Sequence, residues 1–416
     1  MGKDVLIIGG GVIGLCSAYY ASQQGHRVTV LERGKPDHGG CSFGNAGMIV
    51  PSHFVPLAAP GMVALGLKWM WNPESPFYIK PRLDLDLLRW GWGFFQAATA
   101  GRVRQAAPLL RDLHMASRAC FEQLQSRPDG AFGLAQNGLL MLCQSQHALD
   151  EEAAGAAKAR DLGIPAEVLD AAQTAKLDPG VRMNVAGSVY YPKDCHLAPS
   201  RFMAALRRHL DAAKTKFLWE TEVTGCRTES GKILALATNR GEVSAEEYVL
   251  AGGIWSSGLS AGLGLRLPMQ AGKGYSLTLP QPRELPRICS ILTEARIAVT
   301  PMDGKLRVGG TMEISGLSEQ VSPRRVQGII NAFPRYFPNF KTEDFRDLPV
   351  WHGLRPCSPD GLPYIGRPKK FSNLVVAAGH AMMGLSLGPV TGKLVAELLS
   401  GEKPSINLSL LKPDRY

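Results

Sequence analysis

An α/β architecture that opens on a parallel sheet is predicted by three observations. Val5 to Ile8 form a short, mostly β-branched apolar run, a glycine cluster of Gly9, Gly10, Gly11 and Gly14 follows at once, and Val12, Leu15, Ala18, Tyr19 and Ala21 then recur at helical spacing. Gly25 ends that helix, and Val28 to Leu31 supply a second strand that stops at Glu32. Strand, GxGxxG turn, helix, strand and acid stand in the order of a Rossmann-like β-α-β unit.

Each element has a chemical reason. Gly9 permits the tight turn, Gly11 lets a pyrophosphate approach the main chain, and Gly14 lets the helix lie close on the sheet. Val12 and Ile13 open the helix, whose first amides and positive dipole end face the phosphates. Glu32, 18 residues beyond Gly14 and followed by Arg33, is placed to accept hydrogen bonds from an adenosine ribose. The fingerprint by itself suits NAD or FAD.

The chain has 416 residues, long enough for two or three domains around a sizeable core. Charged residues at 20% and hydrophobic residues at 45% exclude global disorder and collagen-like repeats. The net charge of +10 leaves nucleic acid, an anionic membrane surface and acidic small molecules open as partners. Eight scattered cysteines show no CxxC pair and no zinc spacing, which favours a reducing compartment and predicts no metal site. No secretory signal and no transmembrane helix are predicted, so the expected location is cytoplasmic, with peripheral attachment to an inner membrane left open.

Further along, GGCSFGNAGMIVPSH from Gly39 to His53 is a Gly-, Ser- and Asn-rich loop able to offer many backbone donors. A helix is predicted over Pro199 to Ala213, then a strand from Phe217 to Thr221 leading to Val223. A hairpin-like pair, Ile233 to Thr238 and Val243 to Leu250, ends in AGGIWSSGL. Leu374 to Ala378 reads as a strand running into a Gly-rich loop and a helix through Leu399.

In this order the opening fingerprint, VLAGGIW, GKGYSLTL, RVGGTMEI, WHGLRPCSPDGLPYIG and NLVVAAGHAMMG resemble FAD-dependent amino-acid oxidoreductases of the D-amino-acid oxidase superfamily. The bacterial D-amino-acid and D-hydroxyproline dehydrogenases are the most similar, and the resemblance spans nearly the whole chain. It implies a Rossmann-like FAD-binding domain of residues 1–55, 190–265 and 349–416, interleaved with an α+β substrate domain of residues 56–189 and 266–348. Leu139 to Cys143, Met269 to Leu279, Ile297 to Thr300 and Lys305 to Gly310 suit the mixed antiparallel sheet expected of that second domain.

The resemblance also implies site residues. Besides the fingerprint, the FAD contacts would be Arg33, Cys41, Ser42, Asn45, Ala46, Gly47, Val223, Ala251, Gly252 and Trp255, together with Gly379, His380, Met383, Gly384, Leu385 and Ser386. Arg355 in GLRP matches the arginine that holds the substrate carboxylate, a task suited to a rigid guanidinium fork. It also stands close enough to count among the cofactor contacts. Tyr275 is expected to add a hydroxyl to that carboxylate or to cap the pocket, although an aromatic on an alternating strand also suits a core. His53 and His352 are candidates to orient substrate or move protons, and His380 to meet the flavin through its backbone. Cys41, Cys195 and Cys357 read as inert, so the FAD is expected to dissociate.

The implied reaction is hydride transfer from Cα of a D-amino acid to flavin, giving an imino acid. Arg-Pro-Cys-Ser-Pro-Asp and Ala-Met-Met-Gly depart from the alanine-type pattern, which brings D-proline and hydroxy-D-proline forward as substrates. Rival readings are a glycine- or sarcosine-type amine oxidase, a flavoenzyme acting on a modified tRNA base, and a flavin-binding scaffold without catalysis. The dispersed basic residues argue against nucleic acid. The electron acceptor, quinone or another, stays open. Trp69 to Trp92 mixes four tryptophans with Lys68, Lys80, Arg82 and Arg89 around it, which suits either a membrane-docking face or a helix pair with buried tryptophans.

Overall fold

The computed structural model describes residues 2–37, 39–69, 75–127 and 130–416. The apolar run at the start forms strand β1 (Asp4–Ile8), the glycine turn leads into helix α1 (Val12–Gln23), and strand β2 (Arg27–Leu31) follows. β1 pairs in parallel with β2 on one side and with Glu247–Leu250 on the other. Lys216–Leu218 and Leu374–Ala378 extend this six-stranded sheet in parallel, and Tyr364–Gly366 closes one edge antiparallel. A parallel sheet must be covered on both faces. α1, Pro199–Ala212 and the C-terminal helix bury one face, and a small three-stranded sheet over Val223–Val243 contributes to the apolar cluster on the other.

Two expectations change here. The run Val243 to Leu250 is not one strand: Gly241–Val243 completes the small antiparallel sheet, while Glu247–Leu250 enters the six-stranded one. Ala245 and Glu246 between them turn the chain, with the Tyr248 hydroxyl accepting from the Ala245 amide. The strand expected from Phe217 to Thr221 stops at Leu218, because Glu220 takes a positive φ of 52° and turns the chain back on Glu32.

The second sheet has nine strands and is mixed. Its order is Trp351–Cys357, Gln270–Leu279, Lys305–Ile314, Ile297–Met302, Cys289–Leu292, Leu139–Cys143, Gly187–Tyr191 and Glu167–Asp170, with Phe77–Ile79 paired to Lys305–Ile314. The strands that form the active-site wall are called β3 (Gln270–Leu279), β4 (Lys305–Ile314) and β5 (Trp351–Cys357). The domain limits expected at 190 and 349 do not follow the sheets. Gly187–Tyr191 crosses the first, and β5, expected with the nucleotide-binding layer, hydrogen-bonds to β3 in the mixed sheet.

One irregularity positions a functional group. Between Lys273 and Tyr275 the β3–β4 register shifts, and Thr311 on β4 takes a φ of 71°. Such a bulge re-aims main-chain groups out of the ladder, here turning the Thr311 carbonyl towards Arg355 on the far side of β3.

Candidate active site

A cavity of about 1260 Å³ runs from the C-terminal ends of β1 and β2 to the wall made by β3, β4 and β5. Its position, at the carboxyl ends of parallel strands, is where open α/β sheets bind ligands. Gly9, Gly11, Val12, Ile13, Glu32 and Arg33 line one end, with Cys41 and Ser42 beside them and Val223, Ala251, Gly252 and Trp255 opposite. Asn45, Ala46, His380, Met383, Gly384, Leu385 and Ser386 line the middle. Arg355, Tyr275, His53 and His352 line the other end.

Three expected contacts are not in the wall. Gly14 backs it instead: a Cβ there would lie 1.8 Å from the Gly9 carbonyl oxygen, so α1 can approach β1 only with no side chain at this position. Gly47 is packed against the Leu197 carbonyl and Gly379 against the Tyr364 ring, both in turns behind the cavity surface.

At the nucleotide end the main chain does the positioning. The Glu32 carboxylate accepts from the amides of Gly10 (2.7 Å) and Gly34 (2.8 Å), tying the glycine turn to the end of β2. Ser42 accepts from the Val12 amide at 2.9 Å, so the Gly-rich loop is anchored on the start of α1. The Arg33 guanidinium stacks 3.7 Å over the Trp255 ring. The N-cap residue of neither α1 nor the helix α2 (Gly384–Ser400) supplies a side-chain cap, neither first turn holds an acid, and both begin at the cavity. Two positive helix ends face the same space.

At the other end side chains dominate. A Cβ on Gly274 would lie 2.1 Å from an Arg355 amino group, so the glycine opens the slot in which the guanidinium lies. Arg355 donates to the Thr311 carbonyl at 2.6 Å, and among the described residues that is the guanidinium's single hydrogen bond. The thiols of Cys41 and Cys357 lie near it, among the described residues no carboxylate pairs with it, and burial lowers the guanidinium's pKa. A cation held this way is costly until an anion joins it.

Tyr275 is buried in the core cluster of the mixed sheet. Its hydroxyl donates to Glu313 at 2.7 Å and accepts from the Ser322 amide at 3.2 Å, so its hydrogen is committed to a protein carboxylate. The pairing of β3 with β5 sets His352 opposite Tyr275 and Arg355 opposite Gly272.

His53 follows a turn at Val50–His53 closed by a backbone bond of 2.9 Å, with Pro51 in its second place. Its Nδ1 lies 3.0 Å from the Ser52 hydroxyl, and that hydroxyl donates to Asp194, a fully buried carboxyl. Burial, with Arg296 nearby, brings the His53 pKa down to about 4, and burial pushes Asp194 up to about 7. His380 is bound to Thr391 at 3.0 Å, so its ring is held inside the protein. Burial holds Cys41 at about 11 and Cys195 and Cys357 at about 12, as protonated and poorly nucleophilic thiols.

A protein-family model described as FAD dependent oxidoreductase matches residues 4–398. The chain belongs to the FAD dependent oxidoreductase family. This oxidoreductase is similar to a D-amino acid dehydrogenase of Bradyrhizobium diazoefficiens, 33% identical over 421 residues with 99% of this chain and 98% of the relative covered. A D-amino acid dehydrogenase of Granulibacter bethesdensis is 34% identical over 421 residues, covering 99% of both. Among solved structures, glycine oxidase from Geobacillus kaustophilus is similar with a TM-score of 0.80 at 26% identity, over 100% of this chain and 99% of that one.

FAD fits the cavity on the structure's own terms. A Cβ at Gly11 would meet only the Ser42 hydroxyl, at 3.4 Å, so the bare main chain of the turn is open to a phosphate beside two helix starts with no acid in their first turns. Several cavity residues of this oxidoreductase were outside the sequence reading: Thr311, Trp351, Arg296 and, behind His53, Ser52 and Asp194. Gly274 carried a signal, a glycine inside the apolar strand GKGYSL, which often marks close approach of another group. Asp194 carried none.

Proposed function

We propose that this oxidoreductase deaminates a D-amino acid oxidatively, and the single observation that carries this reading is Arg355. A guanidinium in a glycine-made slot, with no carboxylate paired to it among the described residues, is suited to a substrate carboxylate held through two charge-assisted bonds. The full-length similarity to dehydrogenases of D-amino acids supports the substrate class. Bound FAD supplies the two-electron acceptor for the Cα hydride.

The chain's own residues do the rest. The Gly9–Gly11 turn and the start of α1 would hold the pyrophosphate, Glu32 would meet the ribose, and Arg33, Val223 and Trp255 would wall the adenosine end. Arg355 pins the carboxylate and so fixes which face of Cα is presented. The amine must be neutral when hydride leaves, and the imino acid released then hydrolyses to a 2-oxo acid and ammonia, or stays cyclic if a proline was oxidised. The unit boundaries we favour keep the interleaved pattern but move 190–191 and 351–357 to the substrate unit, with their sheet. Anaerobic bleaching of the flavin across D- and L-amino acids, both prolines included, tests the function. D-amino acids should bleach it; bleaching confined to L-amino acids, or none, overturns the reading.

A second reading concerns the electron acceptor. Among the described residues no helix is long and apolar enough to cross a membrane. The helix Leu85–Ala97 nevertheless carries Leu85, Leu88, Trp92 and Phe95 at 69, 62, 62 and 58% exposure, in one stripe at helical spacing. Its other face is core: Trp90 is buried and donates to the Cys357 carbonyl at 2.8 Å, and it packs with Leu57, Met312 and Ala381, which also line the cavity. The two readings of the tryptophan-rich segment therefore divide by residue, Trp90 inward and Trp92 outward, while Trp71 lies outside the described residues. Exposed Arg89, Arg102 and Arg104 flank the stripe. We infer peripheral docking on an anionic bilayer, with quinone as acceptor. Sedimentation with phosphatidylglycerol vesicles should carry the protein down at low salt, and less so after Trp92→Ser with Phe95→Ser; equal binding by both proteins removes this reading.

A further inference from the structure

The proposed reaction needs a group that takes a proton from the substrate ammonium, and Arg355 cannot accept one. We propose that His53, Ser52 and Asp194 form a proton relay that neutralises the substrate amine, with Asp194 as its terminal acceptor; this rests on the D-amino acid reading.

The direction of the chain follows from hydrogen-bond bookkeeping. An ionised carboxylate only accepts, so the Ser52 hydroxyl spends its hydrogen on Asp194 Oδ2 and its oxygen must accept from His53 Nδ1, 3.0 Å away. The proton of a neutral imidazole then resides on Nδ1, and Nε2 keeps a lone pair. His53 lines the cavity, and Nε2 has no partner among the described residues. The Ser52 amide also donates to Asp194, at 3.0 Å, so the turn that carries His53 is docked on the carboxyl by two bonds from one residue. Asp194 is 0% exposed and forms no ion pair among the described residues.

The transfer balances without an oxidant. An ammonium proton passes to Nε2, the Nδ1 proton to Ser52 Oγ, and the Ser52 hydroxyl proton to Asp194. Ammonium and carboxylate become amine and carboxylic acid, and no bond to carbon changes. After product leaves, the proton returns along the same path to solvent in the cavity.

The surroundings suit this traffic. Arg296 and the Ser386-bound His114 face His53, and burial, with Arg296 nearby, keeps it neutral near pH 7. Arg118, Tyr191, Cys195 and Cys289 face Asp194, and burial outweighs the weak attraction of Arg118, leaving the carboxyl poised at about 7. Asp194 accepts only when ionised, so flavin reduction should rise with pH through that value.

Rapid-mixing measurements of anaerobic flavin reduction, with D-proline and D-alanine as probes, test the relay. Asp194→Asn and Ser52→Ala should each slow reduction about 100-fold at pH 7 and recover as pH approaches the amine's own ionisation. Ser52→Thr should restore the wild-type profile. Wild-type rates and profile in both Asp194→Asn and Ser52→Ala overturn the relay. Infrared difference spectra between pH 6 and 8 on the holoenzyme without substrate give an independent readout. A protonated-carboxyl band that is lost in Asp194→Asn and displaced in Ser52→Ala and His53→Gln supports the relay, and a band indifferent to Ser52 overturns it. This second arm involves no amino acid, so absence of flavin reduction by any D-amino acid would overturn the proposed function and leave the relay to be decided by the infrared band.

Discussion

At the nucleotide end of the cavity, a short continuous stretch of chain supplies amides, a helix start and one carboxylate; at the substrate end, Arg355, Thr311, Gly274 and His53 arrive from four separate segments. The first end works by bare main chain and close approach, where geometry tolerates almost no added atom. The second works by one buried guanidinium and the polar groups around it, where chemistry is what a substitution removes. Substitutions should therefore damage the two ends in different ways, through cofactor retention at one and substrate affinity at the other.

The largest effect is expected from Gly14→Ala. A Cβ 1.8 Å from the Gly9 carbonyl oxygen forces α1 off β1, at a cost of about 3 kcal/mol. The variant should emerge from gel filtration without flavin and melt earlier; a yellow, equally stable protein would break the comparison. Next is Arg355→Leu, for which kcat/KM should fall about 100-fold, near 3 kcal/mol, mostly through KM, with FAD retained. An unchanged KM would remove Arg355 from the substrate site. The smallest effect on catalysis is expected from Tyr275→Phe. Losing the bond to Glu313 should cost about 1–2 kcal/mol of stability, read by denaturant titration, while KM stays within about twofold. A KM that rises as it does for Arg355→Leu would return the hydroxyl to the substrate.

Tyr275 and Arg355 also show how far the site could be read from the chain alone. Both stand in short motifs, GKGYSL and GLRP, and both line the cavity. Only the packing shows that the tyrosine hydroxyl is turned to Glu313 on the neighbouring strand while the guanidinium pairs with no acid among the described residues. Asp194 was invisible for a related reason. It stands 142 positions from Ser52, and nothing in a lone aspartate announces that a distant turn will bury it. The strand pair at 233–250 failed differently, because alternation fits both the small antiparallel sheet and the parallel one until a partner is chosen.

The sequence by itself determined the β-α-β opening and its glycine turn, because these depend on local spacing and on residue types with few other uses. The tertiary structure decided which sheet β5 joins, where the Tyr275 hydroxyl goes, which tryptophan faces outward and what lies behind His53. Those depend on side-chain direction and on contacts between segments far apart in the chain, which exist only once the two sheets have formed and closed on one cavity.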